Sequence, residues 1–236
     1  MTITPRTAEE LLRDIDVLGA LPNSDTVALA EAAEVRQAAR GAPLFQEGQL
    51  AEGLFIVRTG EVKLVKGARD GREQILYLAR SGRPITEGVR FDQGPYPATA
   101  VAMRATSALL IHNQALWGLG SQRPGVLGAL IDLKARRVDR LLTLIRDLSL
   151  RTVPARLASF LCDLVEQRTA RGEDATTLVR DLTTETVAGR LGTVREEISR
   201  GLAALERAGA VQVSPEAVVV KDLDQLRAIA LANRRG

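Results

Sequence analysis

Apolar residues near the start of the chain follow a helical spacing. Over residues 7–18 they recur at intervals of three and four, which predicts an amphipathic helix. Residues 22–25 are interpreted as a break and cap, and a second helix is predicted over residues 26–33. The apolar stripe of the first helix consists of Leu11, Leu12, Ile15 and Leu18.

The pattern changes between residues 35 and 112. Short apolar runs alternate there with glycine-containing turns. Strands of four to eight residues with turn signals at this spacing are typical of an antiparallel β-sandwich or barrel. Residues 69–72 contain an Asp-Gly pair, which predicts a tight hairpin turn within this region.

A long helix is predicted over Pro124–Leu150, with proline in its first turn. Its apolar positions are spaced 4, 3, 4, 3, 4, 3, which is a heptad seam with one polar member, Lys134. Such a seam favours pairing with a second copy of the chain; the alternative is that it packs against the β region. The predicted dimer contacts are Leu127, Ile131, Val138, Leu141, Ile145 and Leu148.

The last third of the chain combines short helices and strands. Thr152 and Pro154 favour a helix start, and residues 155–167 supply its apolar face. A short strand at Thr177–Val179 precedes a helix-turn-helix pattern over residues 182–210. Two valine-rich segments follow, residues 211–213 and 218–220, and they predict a β-hairpin wing. A last helix is predicted over residues 223–232.

The helix-turn-helix pattern contains the clearest candidate chemistry. Thr183 can cap its first helix, and Gly192 can end that helix in a left-handed conformation. Thr193 and Glu196 have the spacing of a capping box for the second helix. Ile198, Leu202 and Leu205 predict its buried face. The opposite face, suited to the major groove of DNA, presents Arg195, Glu196, Ser199 and Arg200.

Composition excludes several classes of protein but does not by itself indicate a function. The chain has 236 residues and a net charge of +3, and residues 151–236 carry 13 basic and 12 acidic side chains, so charge alone does not indicate nucleic acid. One cysteine, Cys162, excludes an intramolecular disulfide and a four-cysteine metal site within one chain. No apolar run is long enough to cross a membrane, and no secretory signal begins the chain, so we expect a cytoplasmic protein. Without a catalytic or metal-ligand cluster, no enzyme, cofactor or metal is expected.

The order of these regions resembles the CRP/FNR family of bacterial transcription regulators over nearly the whole chain. The motifs that carry the resemblance are LFQEG at 44–48, LFIVRTGEVKL at 54–64, DGREQIL at 70–76 and LGTVREEISRGLAALERAG at 191–209. The resemblance implies an α+β fold. Its expected parts are a cyclic-nucleotide-binding-like β-roll (jelly roll) at 1–122, a dimerisation helix at 123–150 and a winged helix-turn-helix domain at 151–236. It also implies a homodimer that binds a palindromic DNA site, with RNA polymerase as a further partner if the protein is an activator.

By the same resemblance, the second helix of the motif reads DNA bases. Arg195, Glu196 and Arg200 match the reading positions of one branch of the family; Glu196, Ser199 and Arg200 match those of the other. The implied half-sites resemble TGTGA or TTGAT. Two alternatives stay open: Glu196 serves only as the capping-box acid, and Ser199 is a solvated hydroxyl. The candidates for contacts with the DNA backbone are Thr183, Thr184, Thr193 and the wing.

A second function is also compatible with the sequence. The protein could be a ligand-sensing regulator whose winged helix binds a protein partner instead of DNA. Competition between palindromic and scrambled DNA separates these two functions.

The resemblance breaks down in the effector region, residues 82–102. Glu87 matches the family's ribose-binding carboxylate, but Thr86 stands where a glycine is expected. Pro97 and Ala98 replace the Arg-Ser pair that binds the cyclic phosphate, and Leu141 and Leu142 replace two polar residues that contact the base. A phosphate buried without charged partners is very costly, so we predict no tight binding of cyclic AMP.

Other sensing chemistries of the family lack their residues. No cysteine cluster is present near the N-terminus for an iron–sulfur cluster. The single histidine, His112, is interpreted as a turn or core residue instead of a haem ligand. An apolar pocket, either filled by its own side chains or open to an unknown apolar effector, is what remains.

Overall fold

Two four-stranded sheets form the β region within the part of the chain that the computed structural model describes, residues 7–67, 73–90, 92, 94–170, 172–179 and 183–231. The strands are β1 (Ala33–Ala38), β2 (Pro43–Phe45), β3 (Gly53–Thr59), β4 (Glu61–Gly67), β5 (Glu73–Arg80), β6 (Pro84–Ile85), β7 (Thr99–Ala102) and β8 (Thr106–His112). The sheet orders are β1-β8-β3-β6 and β2-β7-β4-β5. The predicted hairpin turn at residues 69–72 lies outside the described residues.

The inner strands β3 and β8 of the first sheet are buried on both faces, which explains their continuous apolar runs, whereas the edge strand β1 is mostly exposed. One face shares a core with the second sheet, built around Phe55, Tyr96 and Leu110. The other face, including Ile56 and Ile111, is covered by helices. Strands buried on both sides lose the apolar–polar alternation of a half-exposed sheet.

The helices that cover this face come from segments before β1 and after β8 in the chain. They are α1 (Ala8–Arg13), α2 (Asp16–Gly19), α3 (Asn23–Glu31), α4 (Asn113–Gln122) and the first half of α5 (Pro124–Leu150). The single helix expected over residues 7–18 is therefore wrong. The chain turns at Ile15, and a Cβ at Gly19 would lie 2.2 Å from the Arg13 carbonyl oxygen, so the short step needs glycine.

Two more details differ from the expectation. The second helix begins at Asn23, directly after Pro22, so residues 23–25 form its first turn instead of a break. The helix α4 was not predicted, because its glycine-containing sequence NQALWGLGSQ gives a weak periodic signal.

The remaining elements form the C-terminal region. They are α6 (Val153–Thr169), β9 (Thr177–Val179), α7 (Thr184–Arg190), α8 (Arg195–Arg207), β10 (Val211–Val213), β11 (Ala217–Val220) and α9 (Leu223–Ala230). The antiparallel strands have the order β10-β11-β9. Thr152 caps α6 through its hydroxyl oxygen, with Pro154 in the first turn, as predicted.

The chain divides into two compact units. One comprises Met1–Gly67 and Leu76–Leu141, and the other comprises Ala68–Ile75 and Leu142–Gly236. The α+β class, with a β-rich region, a long helix and a helix-turn-helix region, is as expected.

Candidate DNA-reading surface and effector region

The helix α7 begins with the predicted cap. The hydroxyl oxygen of Thr183 accepts a hydrogen bond from the Thr186 backbone N–H at 3.1 Å. Thr183 itself is exposed, and Thr184 is half-buried at the first helical position. An N-cap hydroxyl satisfies one of the backbone donors that a helix start leaves unpaired.

The turn after α7 closes with a Schellman motif. Gly192 has a φ of +61°, and the Thr193 N–H donates to the Ala188 carbonyl at 3.0 Å. Its backbone bond therefore commits Thr193 to the end of α7. The predicted capping box is wrong: α8 starts one residue later, its N-cap is Val194, and no side chain caps it. The alternative in which Glu196 serves only as the capping-box acid is therefore wrong as well.

The buried face of α8 packs closely against α6. Ile198 and Leu205 are buried, and Leu202 packs at the edge of the same core. A Cβ at Gly201 would lie 3.1 Å from Leu157 Cδ2, so glycine allows the two helices to approach. This packing fixes which side of α8 faces solvent.

The four candidate base-reading residues lie on the exposed side. Arg195 and Glu196 occupy the first turn, and neither side chain has a hydrogen-bond or ion-pair partner among the described residues. The Ser199 hydroxyl donates to the Arg195 carbonyl at 3.3 Å. The Arg200 guanidinium pairs with Glu197, a residue that sequence reasoning did not single out.

The predicted wing is present next to α8. Val211 pairs with Val220 and Val213 with Val218 in an antiparallel hairpin. The Ser214 N–H donates to the Ala217 carbonyl at 2.9 Å and closes the turn. The wing tip thus has a defined backbone conformation.

Three of the seven positions in the heptad seam of α5 are exposed, and none is fully buried. Ile131, Val138 and Ile145 are 62%, 54% and 58% exposed, whereas Leu127, Leu141 and Leu148 are half-buried. A different stripe of α5 covers the first sheet: Val126, Ala129, Leu130, Leu133 and Arg137 are buried. The alternative in which the seam packs against the β region therefore does not hold for the exposed seam positions.

The segment that carries Glu87 binds α5. Arg137 donates a hydrogen bond through Nε to Glu87 Oε1, and both side chains are only 8% exposed. Lys134 Nζ donates to the Thr86 carbonyl oxygen at 2.7 Å, and its burial lowers the pKa of the ammonium group. The Thr86 hydroxyl and Glu87 Oε2 are buried without a hydrogen-bond partner among the described residues.

An aromatic ring completes this cluster. The Tyr77 ring lies 5.3 Å from the Arg137 guanidinium carbon and 5.1 Å from that of Arg140. Burial raises the pKa of the Tyr77 hydroxyl, so the ring stays neutral between two cations. Sequence reasoning missed Arg137, although it extends the buried 126/130/133 stripe by one further step of four.

The other candidates in the effector region have apolar side chains and differ in their exposure. Pro97 is exposed, and its carbonyl accepts from Lys66 Nζ at 3.0 Å, whereas Ala98 is fully buried. Leu141 is half-buried, and Leu142 is 58% exposed. Neither Pro97 nor Ala98 offers a side-chain donor to a phosphate.

The single histidine and the single cysteine of the chain belong to different units. His112 ends β8, is 42% exposed, and its Nε2 lies 3.1 Å from Glu34 Oε1, so it is neither a core residue nor within the polar cluster. Cys162 is buried in α6, and desolvation raises its pKa, so its thiol is a poor ligand and nucleophile. No group of three or more metal-ligating side chains occurs among the described residues, and none of the helices described there is long and apolar enough to span a membrane.

Comparisons with known proteins agree with this arrangement. A cyclic nucleotide-binding domain model matches residues 35–123, and a Crp-like helix-turn-helix domain model matches residues 155–229. The chain is 28% identical over 218 residues to the CRP-like cAMP-activated global transcriptional regulator of Mycobacterium tuberculosis, covering 92% of this chain and 97% of the relative. It is 31% identical over 191 residues to the cyclic AMP receptor protein of Thermus thermophilus, covering 81% and 85%.

A solved structure shows the same fold. FixK2 from Bradyrhizobium japonicum superposes with a TM-score of 0.71 at 23% identity, covering 85% of this chain and 98% of FixK2. Two domain matches in the family's order and relatives along nearly the whole length lead to one conclusion: the chain belongs to the CRP/FNR family of bacterial transcription regulators and carries its helix-turn-helix DNA-binding domain.

Proposed function

We propose that this regulator is a homodimer that reads a palindromic DNA site through α8 and that cyclic AMP does not control it. The observation that carries the DNA-reading part is the state of Arg195 and Glu196. Both are exposed in the first turn of α8, with no partner among the described side chains. Arginine binds guanine O6 and N7, and glutamate accepts from cytosine N4, so both groups are available for bases of a G·C pair.

The neighbouring residues supply the rest of the contact. Arg200 and Ser199 extend the reading face by one turn, while Thr183, Thr184, Thr193 and the wing contact the DNA backbone. Backbone contacts set the register of the protein and carry no sequence information directly. The proposed half-sites resemble TGTGA or TTGAT.

The exposed seam of α5 supports the two-fold arrangement. A monomer gains nothing by exposing Ile131, Val138 and Ile145 along one line of a helix, whereas a second copy buries them. Two copies related by a two-fold axis present two α8 helices, and a palindrome matches that symmetry.

The residues of the effector region oppose cyclic AMP as the signal, although the two curated relatives are named for it. Exposed Pro97 and buried Ala98 offer no guanidinium or hydroxyl to a phosphate. A buried phosphate without such partners loses its hydration uncompensated. If the protein activates transcription, RNA polymerase is a further partner.

Two experiments test this function. Gel-shift competition at fixed salt compares palindromic duplexes carrying either half-site with scrambled duplexes of the same composition; equal competition by both overturns sequence-specific reading. A cyclic AMP titration is run on the same complex. A rise in DNA affinity at micromolar nucleotide overturns the second part alone.

A further inference from the structure

The edge strand of the wing is tied to the recognition helix by one carboxylate. Glu206 Oε1, on α8, accepts a hydrogen bond from the Val213 backbone N–H on β10 at 2.8 Å. The strand β10 is at the edge of its sheet, since the order is β10-β11-β9. Edge strands leave every second N–H without a strand partner.

The direction of the Val213 N–H follows from its neighbour. The Ser214 N–H points into the hairpin, to the Ala217 carbonyl. Successive N–H groups of a strand point to opposite sides, so that of Val213 points away from β11 and towards α8. Glu206 therefore takes up a donor that the sheet cannot satisfy.

The location of Glu206 makes its charge costly for a DNA-binding protein. It follows Ser199 by seven residues, about two helical turns, and so lies on the same side of α8 as the proposed reading face. An exposed carboxylate near phosphates repels them. The charge of Glu206 should weaken DNA binding, but its carboxylate oxygen holds the wing. A role in positioning the wing therefore explains why a carboxylate lies here.

We propose that Glu206 is a positioning residue that holds the wing against the recognition helix, so that wing and helix contact the DNA backbone together. The proposal rests on the proposed DNA-reading function. It assigns the effect to an acceptor oxygen instead of a charge. Glutamine at this position keeps the acceptor, whereas alanine removes it.

The test compares Glu206→Gln and Glu206→Ala in the full-length chain by fluorescence anisotropy on the palindromic duplex at several salt concentrations. We expect Glu206→Ala to weaken binding about 5–10-fold, the value of one lost hydrogen bond. We expect the dependence of the dissociation constant on salt to stay unchanged, because residues 211–220 contain no lysine or arginine that could neutralise phosphates. Glu206→Gln should stay within about twofold of the wild type.

A matched control removes an exposed carboxylate that lies outside both the wing and the recognition helix. Asp224 on α9, with a side chain that is 95% exposed, is replaced by alanine, and we expect unchanged binding with an unchanged salt slope. If Glu206→Ala and Glu206→Gln both behave like this control, the positioning role is overturned.

Hydrogen exchange of the Val213 amide tests the contact without DNA. The Val213 amide should exchange slowly in the wild type and in Glu206→Gln, and faster in Glu206→Ala. Equal exchange rates in all three proteins contradict the hydrogen bond between Val213 and Glu206. A wild-type chain that binds neither duplex sequence-specifically overturns the proposed function itself. Wild-type binding with an unaffected Glu206→Ala variant overturns only the role of Glu206.

Discussion

Arg137 and Glu87, fifty residues apart in the chain, form an ion pair in which both side chains are buried. The pair joins the buried face of α5 to the segment that the family uses for its effector. Removing one member of a buried pair leaves an uncompensated charge, whereas replacing both with apolar groups is often neutral. The pair therefore holds this segment against α5, and breaking it should lower the stability of the fold, because one buried charge is then left without a partner.

Breaking this pair should destabilise the unit that comprises Met1–Gly67 and Leu76–Leu141. Arg137→Met is expected to lower the free energy of unfolding by about 3–5 kcal/mol, because the Glu87 carboxylate stays buried without its partner. Adding Glu87→Leu should restore most of the loss. Trp117, the single tryptophan of the chain, lies on α4 in this unit and reports denaturant unfolding by fluorescence.

The neighbouring arginine provides the control. Arg136 is 55% exposed and pairs with exposed Asp16 at 3.4 Å. Arg136→Met should change stability by less than about 1 kcal/mol. A loss as large as that of Arg137→Met, or a double variant that recovers nothing, contradicts the role given to the buried pair.

Charges in the seam of α5 should dissociate the proposed dimer. Val138→Glu or Ile145→Glu places two carboxylates opposite each other across the two-fold axis. We expect the dissociation constant of the dimer to rise by about 100-fold or more, since an unpaired charge is desolvated in each copy. Sedimentation equilibrium measures the change, with Thr143→Glu, at an exposed position off the seam, as the control. A dimer unaffected by all three places the interface elsewhere.

The half-buried lysine in the seam, Lys134, predicts a dependence of stability on pH. Burial lowers the pKa of Lys134 below its usual value, so the folded chain releases this proton at a lower pH than the unfolded chain. Where the unfolded state holds more protons, stability rises with pH. The stability of the wild type relative to Lys134→Met should therefore rise as the pH approaches 10, the usual range for lysine.

Trp117 fluorescence in denaturant series between pH 7 and pH 10 measures this difference. Lys66→Met removes an ammonium that is 50% exposed and serves as the comparison. If the stability of the wild type relative to Lys134→Met stays constant or falls as the pH rises, the lowered pKa of Lys134 is contradicted.

Replacing Arg195 should weaken the discrimination of one base pair. Arg195→Ala is expected to cost about 1–3 kcal/mol on the preferred site and to relax specificity at a single position, because a bidentate contact to guanine is lost. Binding to all single-base variants of the half-site measures this. Arg207→Ala, on the last turn of α8, is the control. Equal weakening on every sequence would make Arg195 a phosphate contact.

Several features could be predicted because they depend on residues close together in the sequence. The heptad spacing of α5, the Thr183 cap, the left-handed Gly192 and the wing strands all result from local backbone and side-chain preferences. The failure of the Thr193–Glu196 capping box is also local. The Thr193 N–H is used to close α7, and competition between two local motifs for one residue is not visible in spacing alone.

The sequence by itself thus determined the order of elements, the seam and the exposed candidates on α8, since each follows from a short repeat or a nearby cap. Only the tertiary structure decided which stripe of α5 is buried, that Arg137 meets Glu87, and that Glu206 satisfies an edge-strand N–H of the wing. These contacts join residues from different elements. Their partners are chosen by packing, because a buried charge or an unpaired backbone donor takes whichever acceptor the fold brings within reach.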